Sequence, residues 1–538
     1  MRMPRLVGSG LTALSLVTGG LAMGGLAAGV TLAPAMGDRG VAAPVAPAAA
    51  PTVQLSVMTQ NIFYGGDDYD LSTGGFCAVA NGCPRALHRL AHIIEVSGAD
   101  VVGVQEAEDN TRRLARLLGW HASPQAHVIS RFPILDPPHS HGIFTYVEPV
   151  PGRVVAVANT HLPSTPYGPY KVQKGWSRHR VMKLERTLRV TALAPVLRRL
   201  PRLADRGIPV FLTGDFNSPS YLDWTPAVAK ARPKVPYAVR WPASKALADA
   251  GFGDSYRDVH PDPVADPGYT WSPGGPETRK HDFFDRIDWV LHDGPATTVA
   301  SRLLGERGNP QVDLAFKVPY PTDHRGVVST FDLTPAPAPL IVAPRDRRVI
   351  TGSGPLQVRF HARGLPHESV TLVGHGGTSA HLRAVSTGGR TDGLVRIRTK
   401  HLRPGRYDVA LWDKAHHRVE ATAPIWVYRA GSRSQLSTSR HSYRVGSPIR
   451  VTWTRAPGNN LDWVSFFRCR VTCAGPSGYT IYRYTRTDVE GSVTFGHQNY
   501  LGYGSVRSLA PGTYVARLLT DDGYHAIGKS PRFRIVGR

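Results

Sequence analysis

Apolar and polar residues alternate from Val53 to Ile62, the two-residue period of a half-buried strand. The period then changes. Between Arg85 and Val96 the apolar positions Leu87, Leu90, Ala91 and Ile94 recur at helical spacing, with Pro84 ahead and Gly98 behind as start and stop signals. Val101 to Val104 reads as a short buried strand, and Thr111 to Leu118 as a second helix. Strand-like runs recur at Ala126 to Ile129, Ile143 to Val147, Val154 to Asn159, Val210 to Thr213, Ile287 to Leu291 and Val327 to Phe331. A long basic helix is expected over Arg178 to Ala204. Strands alternating with helices, mixed with hairpin-like neighbours, predict a layered α/β domain ending near Leu333.

The pattern shifts again beyond Thr334-Pro-Ala-Pro-Ala-Pro339, which reads as a linker over 334–339. Helical periodicity stops, and short β-type runs separated by Gly/Pro turns take over. The chain also repeats itself. Gly354-Pro-Leu-Gln-Val-Arg-Phe360 parallels Ser447-Pro-Ile-Arg-Val-Thr-Trp453, and the stretch from Leu402 to Leu411 parallels that from Leu509 to Leu518. Two copies of about a hundred residues predict two β-sandwich modules, over 340–430 and 431–538.

At the other end, Arg2 and Arg5 precede an apolar, Gly-rich run from Leu11 to Leu32 and the small residues Ala33-Pro34-Ala35. This reads as a secretory signal over 1–35, hence an extracellular protein; an uncleaved membrane anchor is the alternative. An Ala/Pro-rich spacer follows over 36–51, ahead of the domain at 52–333. Cys77/Cys83 and Cys469/Cys473 are two close pairs. With an export signal they suggest disulfides, local pairing being the simplest of three connectivities. Neither pair is accompanied by a second Cys or His pair at ligand spacing, which argues against zinc.

Composition adds two constraints. Hydrophobic residues make up 41% of the 538, enough for packed cores and too many for wholesale disorder. The net charge of +24 is uneven: residues 1–334 hold 34 basic and 29 acidic side chains, residues 335–538 hold 30 and 11. The basic C-terminal part suits contact with nucleic acid, an anionic cell-surface polymer or a membrane surface, or serves solubility alone. No obligate protein partner is evident.

Candidate chemistry begins at Leu212-Thr-Gly-Asp-Phe-Asn217, where an apolar strand runs into an acid and a carboxamide. Gly214 is expected to turn the chain sharply, setting Asp215 and Asn217 at the rim of a sheet. Other strands end alike: Asn61 closes the first, Glu106 the second, His161 follows Asn159-Thr, Asp288 lies in Asp285-Arg-Ile-Asp288-Trp, and Asp323 and His324 precede the last. Singly, each is explained as a turn former, a cap or a structural His. Together, two His, four acids and two carboxamides supply hard oxygen ligands for a divalent cation and imidazoles for proton transfer.

The order TQN, VQE, SRFPI, NTHL, GDFN, RIDWVL and TDH resembles the endonuclease/exonuclease/phosphatase superfamily, the deoxyribonuclease I-like metal-dependent phosphoesterases. The resemblance covers Val53 to about Asp332. It implies a four-layer α/β-sandwich, two packed mixed β-sheets flanked by helices, ahead of the two β-sandwich modules. It further implies Mg²⁺, or Mn²⁺ or Ca²⁺, held by Glu106 with Asn61 beside it and Asp323 as a further ligand. Asp215 would orient or deprotonate the attacking water, Asn217 hold a non-bridging phosphate oxygen, and His161 act as general acid or phosphate-stabilising His. His324 would contact the scissile phosphate, with Asp288 fixing its tautomer. Relatives of nuclease type often pair the His161-like residue with a carboxylate from the strand after the SRFPI-like segment. Here Pro138-His-Ser-His-Gly-Ile-Phe144 contains no acid, Asp136 and Glu148 lie outside it, and His161 is left without an identified partner.

Three functions follow. A secreted nuclease or other phosphodiesterase would use the eleven basic residues between Lys171 and Arg206 to track a phosphate backbone, unless these are a solvated helix face. Trp176, Tyr221, Trp224 and Trp241 would stack on bases, unless they are core. A sphingomyelinase-like phospholipase or a phosphomonoesterase would keep the site and change the substrate; a lipid-directed enzyme needs an exposed apolar hairpin, for which Val235 to Trp241 is the candidate. A non-catalytic surface-binding protein would leave the work to the β modules, but should have lost site residues that are all present here.

Overall fold

Strands buried on both faces set the architecture of the first domain. In Val53–Asn61, Leu55 and Val57 enter one apolar core and Met58 another. Val101–Gln105 divides Val101 from Val102 and Val104 in the same way, and Val210–Asp215 divides Phe211 from Val210 and Leu212. Such strands belong between two covering layers. A computed structural model of the chain describes residues 51–70, 75–77, 83–271, 283–317, 319–376, 381–470, 472–473, 478–496 and 504–537. The expected signal 1–35 and all of the spacer but Pro51 lie outside the described residues.

One sheet runs Leu314–Phe316, Ala296–Glu306, Gly326–Leu333, Val53–Asn61, Val101–Gln105, Val128–Ser130, His121–Ser123. The other runs Gly253–Asp254, Asp288–Asp293, Val210–Asp215, Arg153–His161, Phe144–Val150, Ile134–Leu135. Leu55, Val101 and Phe331 of the first meet Val157, Phe211 and Val290 of the second in a shared core, where the rings of Phe211 and Phe331 stand 4.8 Å apart. Helices Pro84–Ser97 and Thr111–Leu118 cover the outer face of the first sheet, and helix Thr191–Ala204 that of the second.

Each sheet centres on one parallel pair, Val53–Asn61 with Val101–Gln105 and Arg153–His161 with Val210–Asp215. Parallel strands put their carboxyl ends at one edge. The register sets Asn61 beside Gln105, and Asp215 beside both His161 and Asp288. Near that edge the sheets press together: a Cβ on Gly103 would fall 1.8 Å from Thr213 Oγ1, and Gln105 Nε2 donates across the gap to Asn159 Oδ1 at 2.5 Å.

Three local features differ from expectation. The eleven-residue strand Ala296–Glu306 has no strand-like pattern in sequence, because Thr297, Thr298, Ser301 and Arg302 interrupt its apolar alternation. The basic helix is divided by a widened turn, Arg186–Val190, between Arg178–Glu185 and Thr191–Ala204. Gly214 does not turn the chain, because it lies inside Val210–Asp215, where a Cβ would meet the Thr160 carbonyl oxygen at 2.5 Å. The turn comes at Asn217, whose φ of 48° is left-handed, and Asp215 ends up 1% exposed instead of on an open rim.

In the Pro-rich segment after Leu333, Ala336–Pro337 pairs with the edge of Arg153–His161. Beyond it, Ile341–Pro344, Leu356–His361 and Asp392–Ile397 share a core with the five strands Arg348–Ile350, Arg418–Tyr428, Gly405–Asp413, Glu368–Gly374 and His381–Ser386. The same plan recurs. Gln435–Thr438, Ile449–Thr454 and Gly491–Phe495 pack on Ser442–Arg444, Phe533–Val536, Gly512–Leu519, Trp463–Cys469 and Tyr479–Tyr484, with Ala526–Lys529 added beside Gly512–Leu519. Both sequence repeats fall on corresponding strands. The cysteines pair locally, Cys77 with Cys83 and Cys469 with Cys473.

The β-rich part packs on the first domain through specific polar contacts. Arg112 Nη2 meets Asp346 Oδ1 at 2.8 Å, the Arg347 guanidinium donates to the Pro138 carbonyl, and Asn460 Nδ2 donates to the Gly142 carbonyl at 3.4 Å. Furthest along the chain, Asp521 and Asp522 (φ 48° and 63°) form the centre of a tight turn closed by Gly523 N–H on Thr520 O at 2.7 Å. That turn also faces the first domain.

Candidate active site

Seven of the eight residues singled out from the sequence join in one network of direct contacts, six of them through their side chains. Asn61 Nδ2 lies 3.1 Å from Glu106 Oε1 and 3.1 Å from Asp215 Oδ2. His161 Nε2 stands 3.6 Å from Asp215 Oδ2 and 3.9 Å from Glu106 Oε1, and His324 Nε2 approaches the same Asp215 oxygen at 3.7 Å. His324 Nδ1 is 2.9 Å from Asp288 Oδ2. Asn217 ties in through its backbone N–H on Asp215 Oδ1 at 2.9 Å, and spends one amide hydrogen on the Leu162 carbonyl at 3.0 Å.

Local backbone explains these positions. Glu106 follows directly on its strand and has φ 54°, a conformation that costs a non-glycine residue about 1 kcal/mol or more. It lets the carboxylate accept the Tyr64 N–H at 3.1 Å while facing Asn61. Thr322 Oγ1 donates to the Asn61 carbonyl at 2.8 Å, bringing the segment that carries Asp323 and His324 against the end of the first strand.

Charge is crowded and largely buried. Burial pushes the Asp215 carboxyl up, His324 pulls it down, and Asp288 raises it again. Burial opposes the charged form of His324, but Asp288, Asp215 and Asp323 outweigh it and hold its pKa well above that of an ordinary imidazole. His161 follows suit: burial would lower it, while Asp522, Asp215 and Glu106 together lift it to about 9.

Asp522 was not anticipated. Its Oδ2 lies 3.6 Å from His161 Nδ1, the separation of an ion pair, and its Oδ1 accepts the Tyr484 O–H at 2.7 Å. Within the sequence Asp521-Asp522-Gly523 is fully accounted for as a hairpin turn, so no local signal linked it to His161.

The eighth residue, Asp323, completes an oxygen-rich corner. Burial raises its pKa to about 6, with His324 opposing and Glu106 and Asp215 adding to the rise. Its Oδ1 is buried and has no hydrogen-bond partner. In this site the ligand atoms that stand within 4.8 Å of one another are those of Asp215, Asp288 and His324. Glu106 and Asp215 lie near enough to Asp323 to raise its pKa, and the unpartnered Asp323 oxygen is a hard ligand of the kind a divalent cation takes. The residues fit such an ion.

Beside them opens a cleft of about 670 Å³. Glu106 and His161 line it from the first domain and Tyr479, Tyr482, Tyr484 and Tyr524 from the last module; Arg198, Arg199 and Arg486 also border it. Trp224 and Trp241, by contrast, are buried in a separate apolar core, and Trp176 packs against it.

Comparison with known proteins bears on the first domain. Residues 58–324 match the Endonuclease/Exonuclease/phosphatase family, and this part of the chain belongs to that family of phosphoester hydrolases, typically metal-dependent. An uncharacterized protein of Caenorhabditis elegans is 28% identical over 266 residues, 45% of this chain and 83% of that protein. Among solved structures, an endonuclease/exonuclease/phosphatase from Beutenbergia cavernae aligns at 19% identity and a TM-score of 0.32, covering 69% of this chain and 99% of its own. An AP endonuclease from Archaeoglobus fulgidus aligns at 15% identity and a TM-score of 0.31, covering 52% and 100%.

Proposed function

We propose that the protein is an exported, divalent-metal-dependent phosphodiesterase of nuclease type. The observation that carries this reading is the convergence on a single carboxylate oxygen, Asp215 Oδ2, of Asn61 Nδ2 at 3.1 Å, His161 Nε2 at 3.6 Å and His324 Nε2 at 3.7 Å. Two imidazoles directed at one buried base suit an in-line displacement, in which one proton must be taken and another given.

Glu106 and Asp323, with Asn61 beside them, would hold Mg²⁺, Mn²⁺ or Ca²⁺. Bound there, the ion supplies positive charge to a phosphate oxygen. Asp215 takes the proton of the attacking water as its oxygen bonds to phosphorus. The ester P–O bond breaks, and the leaving oxygen takes a proton from His161 Nε2. His324, charged and tied through Nδ1 to Asp288, presents its Nε2–H to the equatorial oxygens where negative charge builds. Asn217 retains one amide hydrogen for a non-bridging oxygen.

Arg198, Arg199 and Arg486 along the cleft support a polyanionic substrate, hence the nuclease reading. The hairpin candidate for a lipid-directed enzyme is inward-facing, with Val235, Val239 and Trp241 at most 1% exposed. Two disulfides support export to an oxidising compartment. Among the described residues no helix is long and apolar enough to cross a membrane.

The test is a substrate panel of plasmid DNA, RNA, sphingomyelin, inositol phosphate and nitrophenyl phosphate, each with Mg²⁺ and with EDTA. Metal-dependent cleavage of DNA or RNA is expected, lowered about 10²-fold or more in His161→Ala. Phosphocholine release without nucleic-acid cleavage would replace the nuclease reading with a phospholipase, and inactivity on every substrate would remove both.

A further inference from the structure

The turn Thr520–Gly523 of the last module is anchored in the first domain at every residue. Thr520 Oγ1 donates to Asp109 Oδ2. Asp521 Oδ1 lies 2.5 Å from His127 Nε2, and Asp522 Oδ2 lies 3.6 Å from His161 Nδ1. At Gly523 the chains approach so closely that a Cβ would sit 3.2 Å from the Glu108 Cβ.

From behind, the module holds this turn rigidly. Asp522 N–H donates to the Leu461 carbonyl at 2.8 Å, Tyr484 O–H to Asp522 Oδ1 at 2.7 Å, and Trp463 Nε1 to the Gly523 carbonyl at 3.0 Å. One carboxylate oxygen is thereby fixed by Tyr484 and the other is left to face His161. Among the described residues, Asp522 is the one carboxylate within ion-pair distance of His161 Nδ1; Glu106 and Asp215 face Nε2.

We propose that Asp522 is the positioning residue for His161, and that the last β module is thereby a built-in part of the catalytic centre. The inference rests on the phosphoesterase reading of the site. With Nδ1–H directed at Asp522, the ring is held in the orientation that turns Nε2 to the cleft. When the P–O bond breaks, its electron pair passes to the leaving oxygen, that oxygen takes the Nε2 proton, and the ring stays on Asp522 through Nδ1–H. A tether would need none of this: it would have no reason to aim a carboxylate, braced on its far side, at a ring in the active site.

The test uses the full chain. Asp522→Asn keeps the size of the side chain and a residue that tolerates the left-handed turn. Its kcat is expected to fall about 10²-fold with KM unchanged. Tyr484→Phe, which frees the far oxygen, should lower kcat by less. Because Asp522 acts through His161, adding Asp522→Asn to His161→Ala should cost nothing further. Full kcat in Asp522→Asn, or an equal additional loss in the His161→Ala background, overturns the proposal. A second readout needs no turnover: the ¹⁵N resonance of His161 Nδ1, identified by its loss in His161→Ala, should move in Asp522→Asn, and an unmoved resonance overturns the proposal. If the wild-type protein cleaves nothing, the phosphoesterase reading falls, while the resonance still decides whether Asp522 holds the ring.

Discussion

His127 Nε2 lies 2.5 Å from Asp521 Oδ1, although the two residues are 394 positions apart in sequence, and both side chains are at most 4% exposed. Burial alone would lower the His127 pKa. Asp521, with Asp522 and Asp109 behind it, outweighs burial and raises it. A His with a raised folded pKa stabilises fully below its unfolded value, about 6.5, and loses that contribution as pH climbs through the folded value. Melting temperature should therefore fall more steeply above neutral pH in the wild type than in His127→Gln. Parallel profiles would show that the pair contributes nothing.

Asp288→Asn should lower kcat by about 10²-fold or more while leaving the fold intact, because an amide facing His324 Nδ1 no longer enforces the ring's tautomer or charge. The side chain is fully buried, so the check is circular dichroism alongside turnover on the active substrate. A variant with normal turnover would release His324 from its assigned part.

The carboxylates of Glu106, Asp323 and Asp215 repel one another when no cation is bound. In EDTA, Asp323→Asn should consequently melt at a higher temperature than the wild type. Mg²⁺ should raise the wild-type melting temperature and raise that of the variant less, since a ligand that binds only the folded state stabilises it. The comparison is a pair of thermal melts for each protein, with and without metal. Identical metal responses in the two would remove Asp323 from the ion's ligands.

Arg198→Ala combined with Arg199→Ala should raise KM for a nucleic-acid substrate and leave kcat near its wild-type value. Both residues border the cleft, and among the described residues neither makes a hydrogen bond or ion pair with the site side chains. Each lost phosphate contact flattens the slope of log affinity against log salt by about 0.7 to 0.9. Measurement of KM over a range of salt concentrations distinguishes this from a structural effect, which would leave the slope unchanged.

What could be read from the sequence followed the range of the interactions involved. Strand ends carrying Asn61, Glu106, His161 and Asp215 stood out because each sets a site-type polar side chain where a strand closes, and parallel pairing brings such ends to one edge. The neighbours Asp215, His161 and Asp288 then follow from register alone. The strand-rich character of the C-terminal part was legible because a repeat carries its own internal comparison. Gly214 was misread, since a glycine that makes room for Thr160 looks the same in sequence as one that turns. Ala296–Glu306 was hidden by polar residues on a partly exposed strand. Asp522 could not be found at all: its hairpin chemistry explains the local sequence completely, and its meeting with His161 depends on how separate domains settle together.

Seven family motifs lie before residue 333, and a motif count would declare that stretch self-sufficient. The Thr520–Gly523 turn says otherwise. Cutting the polypeptide after the Pro-rich segment would keep every signature intact and yet strip Asp109 and His127 of the groups they were buried against, and His161 of the carboxylate opposite its Nδ1. For this molecule, the surroundings of the candidate site extend into the last strand-rich module, and a shortened version would report on a pocket with one wall removed.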